Sequence, residues 1–151
     1  MDEQTFETLE LKDLIALAAR HVQTAPGRLK MLRLRPSVSR SEILRELEIT
    51  GECVTYLNAR GRFGLSGIED LEPVLSQLHI EGTSLEPRQI LAIERLLFIG
   101  KEVRELIKSA GSGGAFPHLL RIASGIPDLR PLLAAIHGKI LPNGEIDDNA
   151  S

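Results

Sequence analysis

Apolar residues recur at intervals of three and four positions in one segment after another of this 151-residue chain. Such spacing is typical of amphipathic helices, because it places the apolar side chains on one helical face. The apolar residues are mostly Leu, Ile and Ala, with four Phe, one Tyr and no Trp. Strands prefer aromatic and β-branched residues, so this composition also favours helices. The sequence therefore predicts an all-α fold.

Residues that start and stop helices divide the chain into a bundle of about seven helices. Two of these helices are long, at about residues 40–58 and 87–109. Thr24 is expected to cap the short second helix through its side-chain oxygen, and Pro36 to end it near Arg35. Arg28 and Arg35 would then lie two turns apart on one face of that helix.

The first long helix begins with a capping-box pattern, in which Ser39 and Glu42 satisfy each other's backbone N–H groups. Gly51 weakens the middle of this helix by roughly 1 kcal/mol relative to Ala, which favours a bend or fraying there. The apolar residues that follow the capping box form one stripe along the helix: Ile43, Leu47, Val54 and Leu57.

The second half of the chain contains a glycine-rich break at residues 111–114, a candidate boundary between two lobes. Asp128 is expected to cap the last helix, and residues 145–147 form at most a short extended piece. The chain closes on residue types that cap the N-terminus of a helix, yet no helix follows: Asp148, Asn149 and Ser151. We therefore expect residues 1–151 to be a segment of a longer protein.

Charge and cysteine content restrict the class of protein. The formal net charge of −3 argues against a chain that is basic as a whole. Cys53 is the only cysteine and has no partner for an intramolecular disulfide, so an intracellular compartment is expected. The acidic N-terminus lacks the pattern of a signal peptide, and no apolar run approaches the length of a membrane span. A cytoplasmic protein without a membrane partner is predicted.

No arrangement of residues in the sequence is typical of an active site. Gly61, Gly64 and Gly67 do not have the spacing of a phosphate-binding loop, and the lysine that such a loop needs is missing. The four His residues are scattered without metal-ligand spacing, and no Ser lies in a nucleophile elbow. We therefore predict no catalytic, cofactor-binding or metal-binding residue in this chain.

One local feature of the charge pattern favours a function. Five basic residues occur between positions 28 and 40 with no acidic residue among them: Arg28, Lys30, Arg33, Arg35 and Arg40. Contacts to a phosphate backbone require such a cluster, so these residues are the candidate nucleic-acid contacts. The alternative is a solvated surface on which the basic side chains pair with nearby acids: Glu42, Glu46 or Glu48.

Both ends of the chain carry specific motifs. Residues 9–37, LELKDLIALAARHVQTAPGRLKMLRLRPS, combine a helix with a Thr24-x-x-Gly27 start and a Pro36-Ser37 end. They resemble the opening helix, and the T-x-x-G-x-x-x-A-x-x-L-x-P-S segment that follows it, of the type 2, recombination-suppressing branch of the MutS family. Residues 140–151, ILPNGEIDDNAS, are similar to its I-x-x-x-G-x-I-x-D-x-A-S motif. The middle of the chain, around residues 67–71 and 85–87, matches less specifically. Together with the two ends, it extends the resemblance over nearly the whole chain.

The resemblance implies that this chain is the non-catalytic N-terminal core segment, clamp and lever, of a homodimeric DNA-binding ATPase. The ATPase domain, which uses ATP and Mg²⁺, and a nuclease domain would lie beyond residue 151. The implied partners are branched or recombination-intermediate DNA and, for some members, ribosomes and their RNA, with a nucleoid-associated location. Phe6-Glu7-Thr8 does not match the Phe-x-Glu of the mismatch-repair branch.

Two other functions remain as alternatives. A self-contained helical protein-interaction module would need no contact with nucleic acid. A small stand-alone enzyme would need an active-site constellation that the sequence does not show.

Overall fold

The computed structural model describes residues 9–148. No sheet occurs within these residues, and their only β pairing is one isolated antiparallel bridge between Ile140 and Ile146. This confirms the all-α prediction. Seven helices lie in the described part of the chain: α1 (Leu11–Ala19), α2 (Ala25–Leu32), α3 (Arg40–Arg60), α4 (Glu72–Gln77), α5 (Pro87–Gly111), α6 (Pro117–Ser124) and α7 (Arg130–Ile136).

The described residues form two compact units. Unit 1 comprises residues 9–46 and 65–70, and unit 2 comprises residues 47–64 and 71–148. The glycine-rich break at 111–114, the candidate boundary between lobes, lies inside unit 2 between α5 and α6.

The start of α2 has the predicted cap. Thr24 Oγ1 accepts a hydrogen bond from the backbone N–H of Gly27 at 3.1 Å. A Cβ atom at Gly27 would lie 2.6 Å from Thr24 Oγ1 and 2.9 Å from Val22 Cγ1. The Thr-x-x-Gly spacing is therefore a packing requirement, since only glycine leaves room for the capping side chain.

Replacement of Gly27 by Ala is expected to destabilise unit 1 by about 1 kcal/mol, the usual effect of losing a helix cap. This loss outweighs the higher helix propensity of Ala. The added methyl group displaces the Thr24 hydroxyl from its hydrogen bond. Denaturant unfolding followed by circular dichroism at low protein concentration measures the change. Gly51→Ala is the matched control, because a Cβ there meets nothing within 4 Å. Stability that is equal or higher in Gly27→Ala would contradict the steric argument.

The end of α2 differs from the prediction. The helix ends at Leu32 with Arg33 as its C-cap, whose backbone N–H donates to Leu29 O at 3.2 Å. The sequence placed this end near Arg35, which was wrong: the ring of Pro36 disfavours helical backbone at Arg35, and the helix already ends at Leu32. Arg28 and Arg35 therefore do not share a helical face.

The start of α3 is capped by half of the predicted box. Ser39 Oγ accepts from the backbone N–H of Glu42 at 3.4 Å. The Glu42 carboxylate does not return to Ser39, because it accepts from the Ser37 hydroxyl at 2.5 Å. The helix then continues without interruption through Gly51 to Arg60.

The core of unit 1 is small. Ile15 and Ala19 of α1 are its buried apolar residues, and α1 packs against α2. The backbone N–H of Ala25, at the start of α2, donates to Ile68 O at 3.3 Å. This hydrogen bond attaches residues 65–70 to the two helices.

The core of unit 2 contains aromatic rings. The Tyr56 ring stacks on Phe63 with centroids 4.6 Å apart and meets the edge of Phe116 at 5.5 Å. α5 packs against both α6 and α7. The buried residues of this cluster come from three helices and the residue before α6: Tyr56, Ile107, Phe116, Leu119 and Ala123.

The last described residues contain a turn and the predicted short extended piece. Gly144 has a φ of 86°, and the backbone N–H of Leu141 donates to Glu145 O at 2.8 Å. The bridge at Ile146 falls within residues 145–147. Asn149 and Ser151, predicted to cap a further helix, and the Phe6-Glu7-Thr8 stretch lie outside the described residues.

Candidate functional site

The five candidate basic residues all lie in unit 1, and all are exposed. Arg28 and Lys30 belong to α2, and Arg33 is its C-cap. Arg35 lies in the non-helical stretch before α3, and Arg40 is the first residue of that helix. We call residues 28–40 the basic segment. The positive charges thus lie along α2 and its C-terminal end, the linker after it and the start of α3, and not on one helical face.

Four of these five side chains have no acidic partner among the residues that the structure describes. Within residues 9–148, no ion pair joins an acid to Arg28, Lys30, Arg33 or Arg40. The Arg35 guanidinium donates to Leu34 O at 2.9 Å. These cations are therefore accessible to an anionic partner from outside the chain.

The acids proposed as alternative partners are engaged elsewhere. Glu42 accepts from the Ser37 hydroxyl, and Glu46 pairs with Arg45 at 2.9 Å. Glu48 Oε2 lies 3.3 Å from His118 Nε2. The structure thus does not show the local neutralisation that the alternative interpretation required for Arg28, Lys30, Arg33 and Arg40.

The chemistry of the basic segment suits phosphate better than nucleobases. A guanidinium offers five N–H donors in a planar fork that matches phosphate oxygens. Base stacking is typically provided by exposed Phe, Tyr or Trp rings, and the described residues of unit 1 contain none of these three. The leucines between the basic residues are exposed as well, a feature that the periodicity did not indicate: Leu29, Leu32 and Leu34.

A partly buried electrostatic contact in unit 2 was also missed from the sequence. The two carboxylate oxygens of Glu52 accept hydrogen bonds from the backbone N–H groups of His118, at 3.1 Å, and Leu119, at 2.9 Å. α6 has no cap from its own N-cap residue, Phe116, so a side chain of α3 caps it instead. No local pattern reveals this cap, because the partners are 66 and 67 positions apart in sequence.

The remaining residues that could carry chemistry lie in turns, next to the core or in a local hydrogen-bonded pair. Gly61 and Gly67 adopt positive φ in the connection after α3, which is turn geometry. Burial, with a smaller contribution from the Glu52 charge, raises the pKa of the Cys53 thiol, which makes it a weaker nucleophile at neutral pH. Hydrogen bonds from Arg130 hold the pKa of Asp128 well below its usual range.

The four His residues do not converge with other ligands. His137 Nδ1 lies 2.6 Å from Glu94 Oε1, and His79 Nδ1 lies 2.9 Å from Leu75 O. Residues 9–148 contain no group of three His, Cys, Asp or Glu side chains placed to hold a metal ion. In the same residues, no helix has both the length and the apolar character that a membrane crossing requires.

Comparison with known proteins identifies relatives over the whole chain. Endonuclease MutS2 of Geobacillus sp. (strain WCH70) is 30% identical over 152 residues, which cover 100% of this chain and 19% of that protein. Endonuclease MutS2 of Shouchella clausii (strain KSM-K16) is 30% identical over 151 residues, and that of Clostridioides difficile (strain 630) is 26% identical over 152 residues.

These matches cover the chain but only part of each relative. The chain spans about one fifth of the length of these curated proteins, 19% in each case. No protein-family model matches the chain. Full-length similarity to several proteins of one name confirms the resemblance seen at both ends of the sequence, and the chain therefore belongs to the MutS2 branch of the MutS family.

Proposed function

We propose that this chain is a non-catalytic helical core segment of a MutS-like DNA-binding ATPase, and that its basic segment contacts the phosphate backbone of nucleic acid. The relatives bear the name Endonuclease MutS2, which describes those proteins as whole molecules. The sequence contains no glycine loop with the spacing of a phosphate-binding motif, and within residues 9–148 no three His, Cys, Asp or Glu side chains are placed to hold a metal ion. In this proposal ATP and Mg²⁺ act in other parts of a homodimeric protein that suppresses recombination or repairs DNA, bound to the nucleoid or to ribosomes.

The observation that carries this proposal is that four of the five basic residues are exposed and have no acidic partner within residues 9–148. In a chain with a net charge of −3, Arg28, Lys30, Arg33 and Arg40 are exposed without an acidic partner in the described residues. A phosphate backbone supplies the missing anions, and binding releases the counterions condensed on it.

The mechanical role of the segment follows from α3. This helix of 21 residues, about 30 Å long, starts at Arg40 and carries Tyr56 in the core of unit 2. Packed helices are suited to transmit motion, because they have few discrete arrangements. The segment would thus couple nucleic-acid contact to nucleotide-driven movement in the rest of the protein.

The test is the simultaneous change of Arg28, Arg33 and Arg35 to Ala. Each lost phosphate contact removes about 0.9 from the slope of log affinity against log salt, so the triple variant should lose roughly 2 to 3. Fluorescence anisotropy with a linear duplex and a four-way junction oligonucleotide, over a range of salt concentrations, measures this slope.

A matched control removes the same charge elsewhere. Arg88, Arg95 and Arg121 are exposed in unit 2, and their joint change to Ala should leave the slope close to that of the wild type. Equal slopes in both triple variants would show that the basic segment does not bind phosphate. The second candidate, an interaction module without nucleic-acid binding, would then be favoured by the exposed leucines of α2 and α3.

A further inference from the structure

We propose that Val38 is an apolar wedge that enters the minor groove of duplex DNA and partly unstacks a base step there. Val38 lies in the linker between α2 and α3, residues 33–39, in the middle of the arginines of the basic segment. The inference rests on the proposed function, because it assigns a nucleic-acid geometry and a specificity-determining residue to that segment. All the residues that carry it belong to unit 1.

The linker presents aliphatic side chains to the outside. Val38 is 95% exposed, more than any other large apolar side chain that the structure describes. Exposed turns ordinarily carry Gly, Pro, Asn, Asp or Ser. Leu32, at the end of α2, and Leu34, in the linker, are exposed as well. The exposed aliphatic residues thus follow one another along the basic segment and are not scattered singly, which is typical of a contact surface.

Hydrogen bonds hold Val38 in a fixed position. The backbone N–H of Ser39 donates to Ser37 Oγ at 3.1 Å, which closes a turn with Val38 at its tip. The Ser37 hydroxyl donates to Glu42 Oε2 at 2.5 Å and so attaches this turn to the first turn of α3. Pro36 fixes its own φ, and the β-branched side chain of Val38 has few rotamers. An apolar tip that is already ordered loses little conformational entropy on insertion.

Basic residues lie on both sides of the tip. Arg33 and Arg40 are exposed, and no acid within residues 9–148 forms an ion pair with either. The Arg35 guanidinium donates to Leu34 O at 2.9 Å, which holds it beside the linker. The phosphates of two strands border each groove of a duplex, so cations on both sides of an apolar tip can neutralise both borders.

The minor groove of B-form DNA is the geometry that suits these features. Proteins that bind there place Arg side chains in the groove and insert aliphatic wedges between base steps, which kinks the duplex. Unstacking is easiest at flexible pyrimidine–purine steps such as TA. The major groove is wide enough to admit a whole helix, and the minor groove of A-form RNA is wide and shallow. A single apolar tip would fill neither of them.

Two signals measure the wedge. The fluorescence of 2-aminopurine, placed in a TA step of a short duplex, should rise at least about twofold on saturation with the chain, because the base loses its stacking. Ring closure of a duplex of about 150 base pairs by DNA ligase should become several times faster. That length is close to the persistence length, so closure is sensitive to a protein-induced bend.

Substitutions at the tip separate the wedge from the phosphate contacts. Val38→Thr keeps the shape of the side chain but makes it polar, so both signals should be lost, whereas Val38→Leu should retain them. Phosphate contacts dominate the affinity, so both variants should bind the duplex within about threefold of the wild type. Val54→Thr is the matched control at an exposed valine of α3 and should give both signals in full.

The outcomes distinguish this inference from the proposed function. A chain that binds duplex DNA with the expected salt slope but gives neither signal overturns the wedge and leaves the phosphate contact in place. Signals from Val38→Thr equal to those of the wild type overturn it as well. Equal unstacking in an RNA duplex of the same sequence contradicts the assignment to B-form DNA. A chain without affinity for any duplex overturns both the proposed function and the wedge, and favours a protein partner for the linker.

Discussion

Phe116→Ala is expected to lower the free energy of unfolding of unit 2 by about 3–5 kcal/mol, the usual effect of removing a buried phenyl ring. Phe116 is 6% exposed and meets the edge of the Tyr56 ring at 5.5 Å. It also precedes α6, so the cavity would open between that helix and α3. Because a small domain is stabilised by only about 5–15 kcal/mol, this loss is a large fraction of the total.

The measurement is urea unfolding followed by far-ultraviolet circular dichroism. Phe98→Ala is the matched control, since Phe98 is the same residue type but 52% exposed on α5. Its replacement should change stability by less than about 1 kcal/mol. Equal losses for the two variants would show that the aromatic cluster around Tyr56 is not the core of unit 2.

Glu52→Ala is expected to destabilise unit 2 by about 2–3 kcal/mol. The change leaves the partly buried backbone N–H groups of His118 and Leu119 without their acceptors, and each carries part of the desolvation penalty of an unsatisfied donor. It also removes a negative charge from the positive end of the α6 dipole. Hydrogen exchange should accelerate at the amides of His118 and Leu119 before it does at α5.

Two variants serve as controls for the cap, one at Glu52 itself and one at the nearby Glu48. Glu52→Gln keeps one acceptor oxygen and the side-chain size, so its loss should be about 1 kcal/mol. Glu48 also contacts His118, but its side chain is 62% exposed against 14% for Glu52. Glu48→Ala should therefore change stability by no more than about 1 kcal/mol. If Glu48→Ala matched Glu52→Ala, the contact with the His118 ring rather than the cap would stabilise α6.

The sequence predicted those features of the fold that depend on neighbouring residues. Thr24 marked a helix start correctly, because a cap acts within one turn. The end of α2 was placed too late: Pro36 disfavours helical backbone at Arg35, and the helix already ends at Leu32. Local steric and capping rules thus set most of the helix boundaries.

Periodicity alone did not identify which side of α3 faces the core. Leu47 and Val54 form the more regular stripe, yet the core contacts come from Cys53 and Tyr56 on the other side. A helix with two apolar sides gives no local signal for the choice between them, because the choice depends on distant residues such as Phe116. For the same reason, no local pattern predicted that Glu52 caps α6.

In the candidate site, too, the sequence predicted the residues but not their partners in three dimensions. The sequence alone located the basic segment and its five residues. It gave no means to decide whether Glu42, Glu46 or Glu48 neutralises them, since each acid has several partners within reach along the chain. Their hydrogen bonds to Ser37, Arg45 and His118 became visible only in three dimensions.

The junction between α5 and α6 has a consequence for how the polypeptide is connected. Residues 112–115 are exposed, and the helices on either side are held by their own packing and by the carboxylate of Glu52. The peptide bonds of this loop therefore add little to the architecture that they join. The packing of α5 and α6 therefore does not depend on the loop that connects them. Residues 112–115 are a suitable place to open the backbone for circular permutation or to insert a reporter.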